Sequence, residues 1–355
     1  MILSNKNICN YLIDNELVSL KSIVEGDLMV RDASSRNTNF LINQFEKGGV
    51  KLLIKQPDIE DEKYILSMKI EAEVYEFIDK KRLCSKLRKY VPKFHHYDQE
   101  NYILVMEQLT GVCRVFDYLY HGLNFPDKEM LQVLATILAS FHEISVEKNT
   151  ILKPTFPWFL DVADRNYYKK VKKDDKKAYK ILKPIFENFE AMQFVRDSKA
   201  MWQSKNFIHL DTRLTNLMMP YTHQAGQKLP IWLIDFEMGG VGDAAWDIGF
   251  LIGDLLYFDS YLKAKAIEIT PNKHYLSIAD SIKYFWKIYS KLRPINENFE
   301  ERVLRYTAIK VFMLVYEYVV DEEDASMDAQ LKILIELFFD IVNNTKNYYK
   351  ILLGK

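Results

Sequence analysis

Residues 207–220 read FIHLDTRLTNLMMP, and after a polar loop residues 230–240 read PIWLIDFEMGG. Two apolar runs, Leu217 to Tyr221 and Pro230 to Ile234, flank the loop THQAGQKL, a pattern that predicts a β-hairpin. Pairing the two strands would bring the residues before the first beside those after the second, so Asp211 and Asn216 are expected near Asp235. Three oxygen-bearing side chains gathered without a cation repel one another, and a hard ion such as Mg²⁺ relieves that repulsion.

Around this island the chain divides by pattern. The first ~105 residues hold most of the strand signals. LMVRDASSRNTNFLINQ (28–44) reads as a hairpin, GVKLLIKQP (49–57) as a third strand and NYILVMEQL (101–109) as a further one. Between them Ile65, Met68, Val74, Phe77 and Ile78 recur at helical spacing, which predicts a helix over 60–80. From Asp127 onward the pattern is helical, with LQVLATILASFHEI (131–144) and LKILIELFFDIV (331–342) the clearest amphipathic stretches. KKVKKDDKKAYKILK (169–183) reads as a solvated helix face. The domains expected are 1–107, a small five-stranded antiparallel sheet with one crossing helix, and 108–355, larger and mainly helical with a short hairpin.

Composition removes several classes. Hydrophobic residues make up 48% and aromatics 14%, enough for a large core, so the chain is neither disordered nor fibrous. Cys9, Cys84 and Cys113 are scattered, which argues against a disulfide framework and a zinc ribbon and fits a cytoplasmic protein. Charged residues interrupt every apolar stretch of membrane-spanning length, so no membrane partner is expected. A net charge of −1 gives no global field for nucleic acid. Of only 12 glycines, five (Gly239, Gly240, Gly242, Gly249 and Gly253) crowd into residues 239–253. The first three are expected where the chain turns back after Asp235, and the last two on one face of a closely packed helix.

The order HLDTRLTN, then a strand, then IDFE resembles the aminoglycoside phosphotransferase and choline kinase family, small-molecule phosphotransferases of protein-kinase-like fold. GGVGDAAWDIGFLIGDL (239–255) and LASFH (138–142) are similar to further family segments, and the resemblance spans roughly Leu28 to Leu256. It implies an α+β, bilobal protein-kinase-like fold and an enzyme that uses ATP and Mg²⁺ to phosphorylate a hydroxyl of a small molecule. Asp211 would orient the hydroxyl and accept its proton. Asn216 and Asp235 would hold metal, His209 would buttress the loop, and Arg213 would contact phosphate or Asp235. Lys55 would grip the α/β-phosphates with Glu71 as its partner; Glu73 is the alternative partner, and Lys51 shares the strand face of Lys55. Met106, Glu107 and Leu109 would form the hinge that meets adenine. Asp247 would anchor the backbone of the Asp211 loop.

One departure is plain. The loop expected over the phosphates, RDASSRNTN (31–39), has no glycine. Ser34, Ser35 and Asn37 could donate to phosphate there and Arg36 could add charge. The acceptor is open among aminoglycoside, choline and sugar-like classes. Asp161, Asp164, Asp254 and Asp259 are candidates for an acidic lining, and Trp158, Tyr257 and Phe258 for an aromatic one. The alternatives are a nucleotide-binding or regulatory pseudokinase, a kinase of peptide Ser or Thr hydroxyls, and a metal-dependent hydrolase.

Overall fold

The computed structural model describes residues 1–34, 37–122, 124–144, 152–224, 227–267, 276–321 and 328–354. These fall into two compact units, Met1–Val112 with Trp232–Gly239, and Cys113–Ile231 with Gly240–Lys355.

In the first unit two short helices, α1 (Ile8–Asp14) and α2 (Leu20–Val24), precede strands β1 (Leu28–Asp32), β2 (Thr38–Gln44) and β3 (Lys51–Gln56). Helix α3 (Glu62–Lys80) follows, capped by the Asp61 carboxylate on the Lys63 amide, then β4 (Phe94–Asp98) and β5 (Ile103–Glu107). The sheet order is β1-β2-β3-β5-β4, with every neighbouring pair antiparallel. Strand alternation sorts the side chains. Phe40, Ile42, Leu52, Ile54, Ile103 and Val105 bury on one face with Leu3, Ile8, Tyr11 and Leu12 of the opening segment. Each such side chain contributes roughly 1.5–3 kcal/mol by burial. Lys55, next to Ile54, therefore points to the opposite face. Strand β4, FHHYD, carries no apolar run that marks it in sequence. It is an edge strand with an irregularity between Phe94 and His96, a polar, bulged edge of the kind that resists further strand addition.

The second unit is mainly helical. Strand β6 (Val112–Arg114) leads into α4 (Val115–Tyr120), α5 (Lys128–His142), α6 (Arg165–Asp174), α7 (Lys176–Phe186) and α8 (Phe189–Ala200). Strands β7 (Asn206–Ile208) and β8 (Leu217–Pro220) follow. Strand β9 (Trp232–Leu233) belongs to the first unit and is shorter than the run Pro230 to Ile234. Then come β10 (Gly240–Gly242), α9 (Ala244–Ala264), α10 (Ile278–Leu292), α11 (Glu297–Asp321), α12 (Ala329–Asn343) and α13 (Thr345–Tyr348). β10 pairs antiparallel with β7, Gly242 facing Asn206. A Cβ on Gly242 would stand 2.3 Å from Ile208 Cδ1, so a side chain there would have to displace Ile208 and Trp202.

Helix α9 is buried around nearly its whole circumference from Ala244 to Leu256, the signature of a central helix. Helix α11 lies against it, and a Cβ on Gly253 would fall 2.4 Å from Lys310 Cγ. The basic run breaks into α6 and α7 at Asp174 and Asp175, because the Asp175 carboxylate accepts the amides of Lys177 and Ala178 and starts a new helix. Its eight lysines are exposed. Among the described residues no helix is long and apolar enough to cross a membrane. The three cysteines are free thiols.

Candidate active site

Strand β7 delivers the chain to His209, and α9 holds the loop that follows. The fully buried Asp247 carboxylate accepts the His209 amide at 2.8 Å and the Leu210 amide at 2.9 Å, so it is the backbone anchor expected. His142 Nε2 also donates to it at 3.2 Å, while the Tyr289 hydroxyl lies 2.8 Å from Nδ1. Burial holds the His142 pKa down against the pull of Asp247, so the ring is neutral. Leu210 sits at φ 70°, a left-handed conformation that costs a leucine about 1–3 kcal/mol. Bonds on both sides sustain it, since its carbonyl also accepts the Trp246 indole N–H at 2.9 Å.

Asp211 emerges from this anchored turn half-buried. Its Oδ1 accepts Arg213 Nε at 2.5 Å and its Oδ2 accepts the Asn216 amide at 3.0 Å. Asn216 Nδ2 also donates to the Asp211 carbonyl at 3.0 Å. With both bonds drawn from its NH₂ group, the amide presents Oδ1 as an acceptor. His209 Nδ1 accepts the Asp211 amide at 3.3 Å, which supports the loop. Burial works to raise the Asp211 pKa, but Arg213, then Lys310 and His209, outweigh it and hold the carboxyl below its usual range. Arg213 is also clamped by Glu317, with Nη1 to Oε2 at 3.1 Å and Nη2 to Oε1 at 2.7 Å.

In the first unit Lys55 Nζ donates to both oxygens of Glu71, at 2.8 and 2.6 Å, and lies 3.5 Å from Asp235 Oδ1. Glu71 is 2% exposed, and it rather than Glu73 meets the strand lysine. Burial alone would lower the Lys55 pKa; Glu71, then Asp235, reverse the sign and hold it protonated. Glu237 adds a third carboxylate to the same field, so one ammonium faces three acids. Asp235 is at φ 68°, and Phe236 behind it is fully buried, edge-on to Tyr75 of α3 at 5.3 Å. The sharp backbone turn is thus at Asp235 itself, while Gly239, Gly240 and Gly242 keep negative φ and serve close approach.

Between β1 and β2 the Ser34 hydroxyl accepts the Asn39 amide at 3.1 Å, and the Asp32 carboxylate accepts the Ser34 amide at 2.8 Å. Asn37 is half-buried; Ser35 and Arg36 lie outside the described residues. Met106 is buried in β5. Glu107 closes that strand, and its carboxylate accepts the Lys93 amide at 3.1 Å. Leu109 lines a cavity of about 380 Å³ with Lys51, Leu52, Gln108, Thr110 and Trp232. Each of the four acidic candidates has a partner: Asp161 pairs with Lys199, Asp164 caps α6, Asp259 pairs with Lys263, and Asp254 is buried beside Lys310. Of the aromatic ones, Phe258 is core, Tyr257 half-buried and Trp158 41% exposed.

With this geometry in place, the sequence profile of the phosphotransferase enzyme family matches residues 30–266, two thirds of the chain. The chain belongs to this family. No curated protein matches it in sequence. Among solved structures, this phosphotransferase is similar to a Plasmodium vivax ethanolamine kinase, with 14% identity over 97% of this chain and 91% of that one, and a TM-score of 0.54. A choline kinase from Cryptosporidium parvum Iowa II gives 14% identity, 98% and 97% coverage and 0.55. A choline/ethanolamine kinase family protein from Mesorhizobium loti gives 12%, 96% and 96%, and 0.53. At such identities the likeness is one of fold, the protein-kinase-like α+β architecture.

Two charged residues of the phosphotransferase escaped sequence reading, Glu317 and Lys310 on α11. Glu317 lies 104 residues from the arginine it clamps, and no local pattern announces it. Lys310 did leave a signal. It is a lone lysine in the apolar run TAIKVFMLVY (307–316) and is fully buried.

Proposed function

We propose that this phosphotransferase moves the γ-phosphate of ATP, with Mg²⁺, to a hydroxyl of a small molecule in the cytoplasm, a compartment that suits its free thiols. The observation that carries the reading is the Lys55–Glu71 pair beside Asp235. A buried carboxylate holds the ammonium in place and charged, with Asp235 next to it, an arrangement fit for the phosphates of a nucleotide and its cation. In this reading Lys55 grips the α/β-phosphates and Glu71 fixes Lys55. Leu109 and its cavity would receive the base.

The donor set fits a hard cation. Among the described residues no three His, Cys, Asp or Glu side chains form a ready-made metal cluster. Mg²⁺ commonly takes only one or two carboxylates and completes its shell with phosphate oxygens and water. Asp235, one of three acids around one ammonium, and the Oδ1 of Asn216 would be its protein ligands. When bound, the metal would neutralise charge on the β- and γ-phosphates. Asp211 would align the acceptor hydroxyl and take its proton late, as the new O–P bond forms. Its depressed pKa suits an orienting group in a loose transition state, where little proton transfer precedes bond formation.

The test is thermal shift with ATP in the presence and absence of magnesium, followed by ADP release across a library of hydroxyl compounds. A magnesium-dependent shift with acceptor-stimulated ADP release is expected. A nucleotide shift without turnover on any acceptor would favour the pseudokinase reading, and no shift at all would remove the nucleotide.

A further inference from the structure

We propose that the buried Lys310–Asp254 ion pair is a second clamp on the Asp211 loop, with Lys310 a positioning residue for Asp211 and Asn216. The inference rests on the roles proposed for those two residues. Lys310 Nζ is wholly enclosed, 3.2 Å from Asp254 Oδ1 and 4.7 Å from the centre of the Phe250 ring. The side chain reaches this place because α9 carries glycine at 253, where any Cβ would collide with the lysine stem. An interior ion pair is a poor way to gain stability, since apolar residues of similar volume do as well or better there. Its geometry gives it another use. Asp254 Oδ2 accepts the Leu214 amide at 2.8 Å, and Leu214 opens the short 3₁₀ turn Leu214–Asn216. At the far end of that turn Asn216 makes its two bonds to Asp211.

The line of force therefore runs from Lys310 through Asp254 to the turn that sets Asn216 against Asp211. Asp247 stands seven residues before Asp254 on α9, two helical turns or about 10 Å away on nearly the same face. It takes the amides on the near side of Asp211, and Asp254 takes the one on the far side. Asp247 is supported by the His142 imidazole and Asp254 by the Lys310 side chain. At the second point the carboxylate that holds the loop backbone is itself held by a lysine of α11.

The test compares Lys310→Met, Asp254→Asn and the double variant in the full chain. Three quantities are measured: melting temperature, hydrogen exchange across 209–217, and steady-state ADP release from Mg·ATP with water or the best hydroxyl acceptor. Lys310→Met strands a buried carboxylate, and its melting temperature should fall by several degrees. In the double variant the pair is neutral and near-isosteric, the asparagine can still accept the Leu214 amide, and melting should return close to wild type. The clamp predicts that kcat nonetheless stays at least tenfold low with KM for Mg·ATP within about twofold, as expected for misplacement rather than lost binding. It also predicts that Leu214 to Asn216 exchange roughly tenfold faster than in wild type. A double variant whose kcat and exchange both recover with its melting temperature would overturn the clamp. Exchange that responds as stated in a wild-type protein that releases no ADP would uphold the clamp and count against the phosphotransfer reading.

Discussion

The two units hold their charged groups in opposite ways. In the smaller one, side chain holds side chain: Lys55 is fixed by Glu71 and neighboured by Asp235, and the strand and helix that present the pair meet through it. In the larger one, besides the Arg213 and Asn216 bonds to the Asp211 carboxylate, side chain holds backbone: Asp247 and Asp254 accept the amides of His209, Leu210 and Leu214, so the chain that carries Asp211 is itself fixed. A group that must follow a mobile phosphate chain can tolerate a salt-bridge tether. On the role proposed for Asp211, a group that must aim at one hydroxyl needs a rigid mount.

The sharpest way to separate aim from fixation is Asp211→Asn. It leaves both anchors in place, so turnover should fall by about 10²–10⁴-fold while the thermal shift by Mg·ATP stays near wild type. Glu71→Gln attacks the other unit. It leaves Lys55 with Asp235 and the weaker field of Glu237, and the loss should be in nucleotide handling, with kcat/KM for ATP down by roughly tenfold or more while Asp211 keeps its mount. Asp247→Ala strips the acceptors from two buried amides at about 1–3 kcal/mol each. Chemical denaturation should report that loss in the larger unit. If Asp247→Ala left stability unchanged, backbone fixation would not be what distinguishes the units.

A gentler probe uses pH. Arg213 is the main group holding the Asp211 carboxyl below its usual range. A carboxylate so depressed stays ionised as pH falls, and the stability it contributes is lost only as pH drops through the lowered folded value. In Arg213→Met the acid limb of the rate profile should therefore move to higher pH. A limb that stays put would mean that Arg213 does not set the charge state of Asp211. The smallest effect is expected on the exposed face of α6 and α7, where Lys172→Ala or Lys176→Ala should change neither melting temperature nor rate.

Much of this was legible because the chemistry is local in sequence. HLDTRLTN and IDFE each fit within a dozen residues, and the resemblance singles out Lys55 and Glu71 on one strand and one helix whose periods are readable, with Glu73 and Lys51 left as neighbours on the same elements. What stayed hidden was set by distance or by compensation. Glu317 and Lys310 meet the loop only after α11 docks on α9, and docking leaves no local period. Of the five strands expected, β4 could not be placed in sequence, because an edge strand has one covered side, so FHHYD can be polar and still pair. For a related reason the partners of the acidic candidates could not be read: a carboxylate in sequence shows its charge but not the lysine or amide that will meet it.

The left-handed backbone at Asp235 bears on how its role can be probed. Aspartate and asparagine tolerate that conformation far better than alanine, since their short polar side chains can bond locally. Asp235→Ala would thus add conformational strain to the loss of a carboxylate, and a dead alanine variant could be dead for either reason. Asp235→Asn keeps the shape and removes only the charge, which makes it the substitution that can be interpreted.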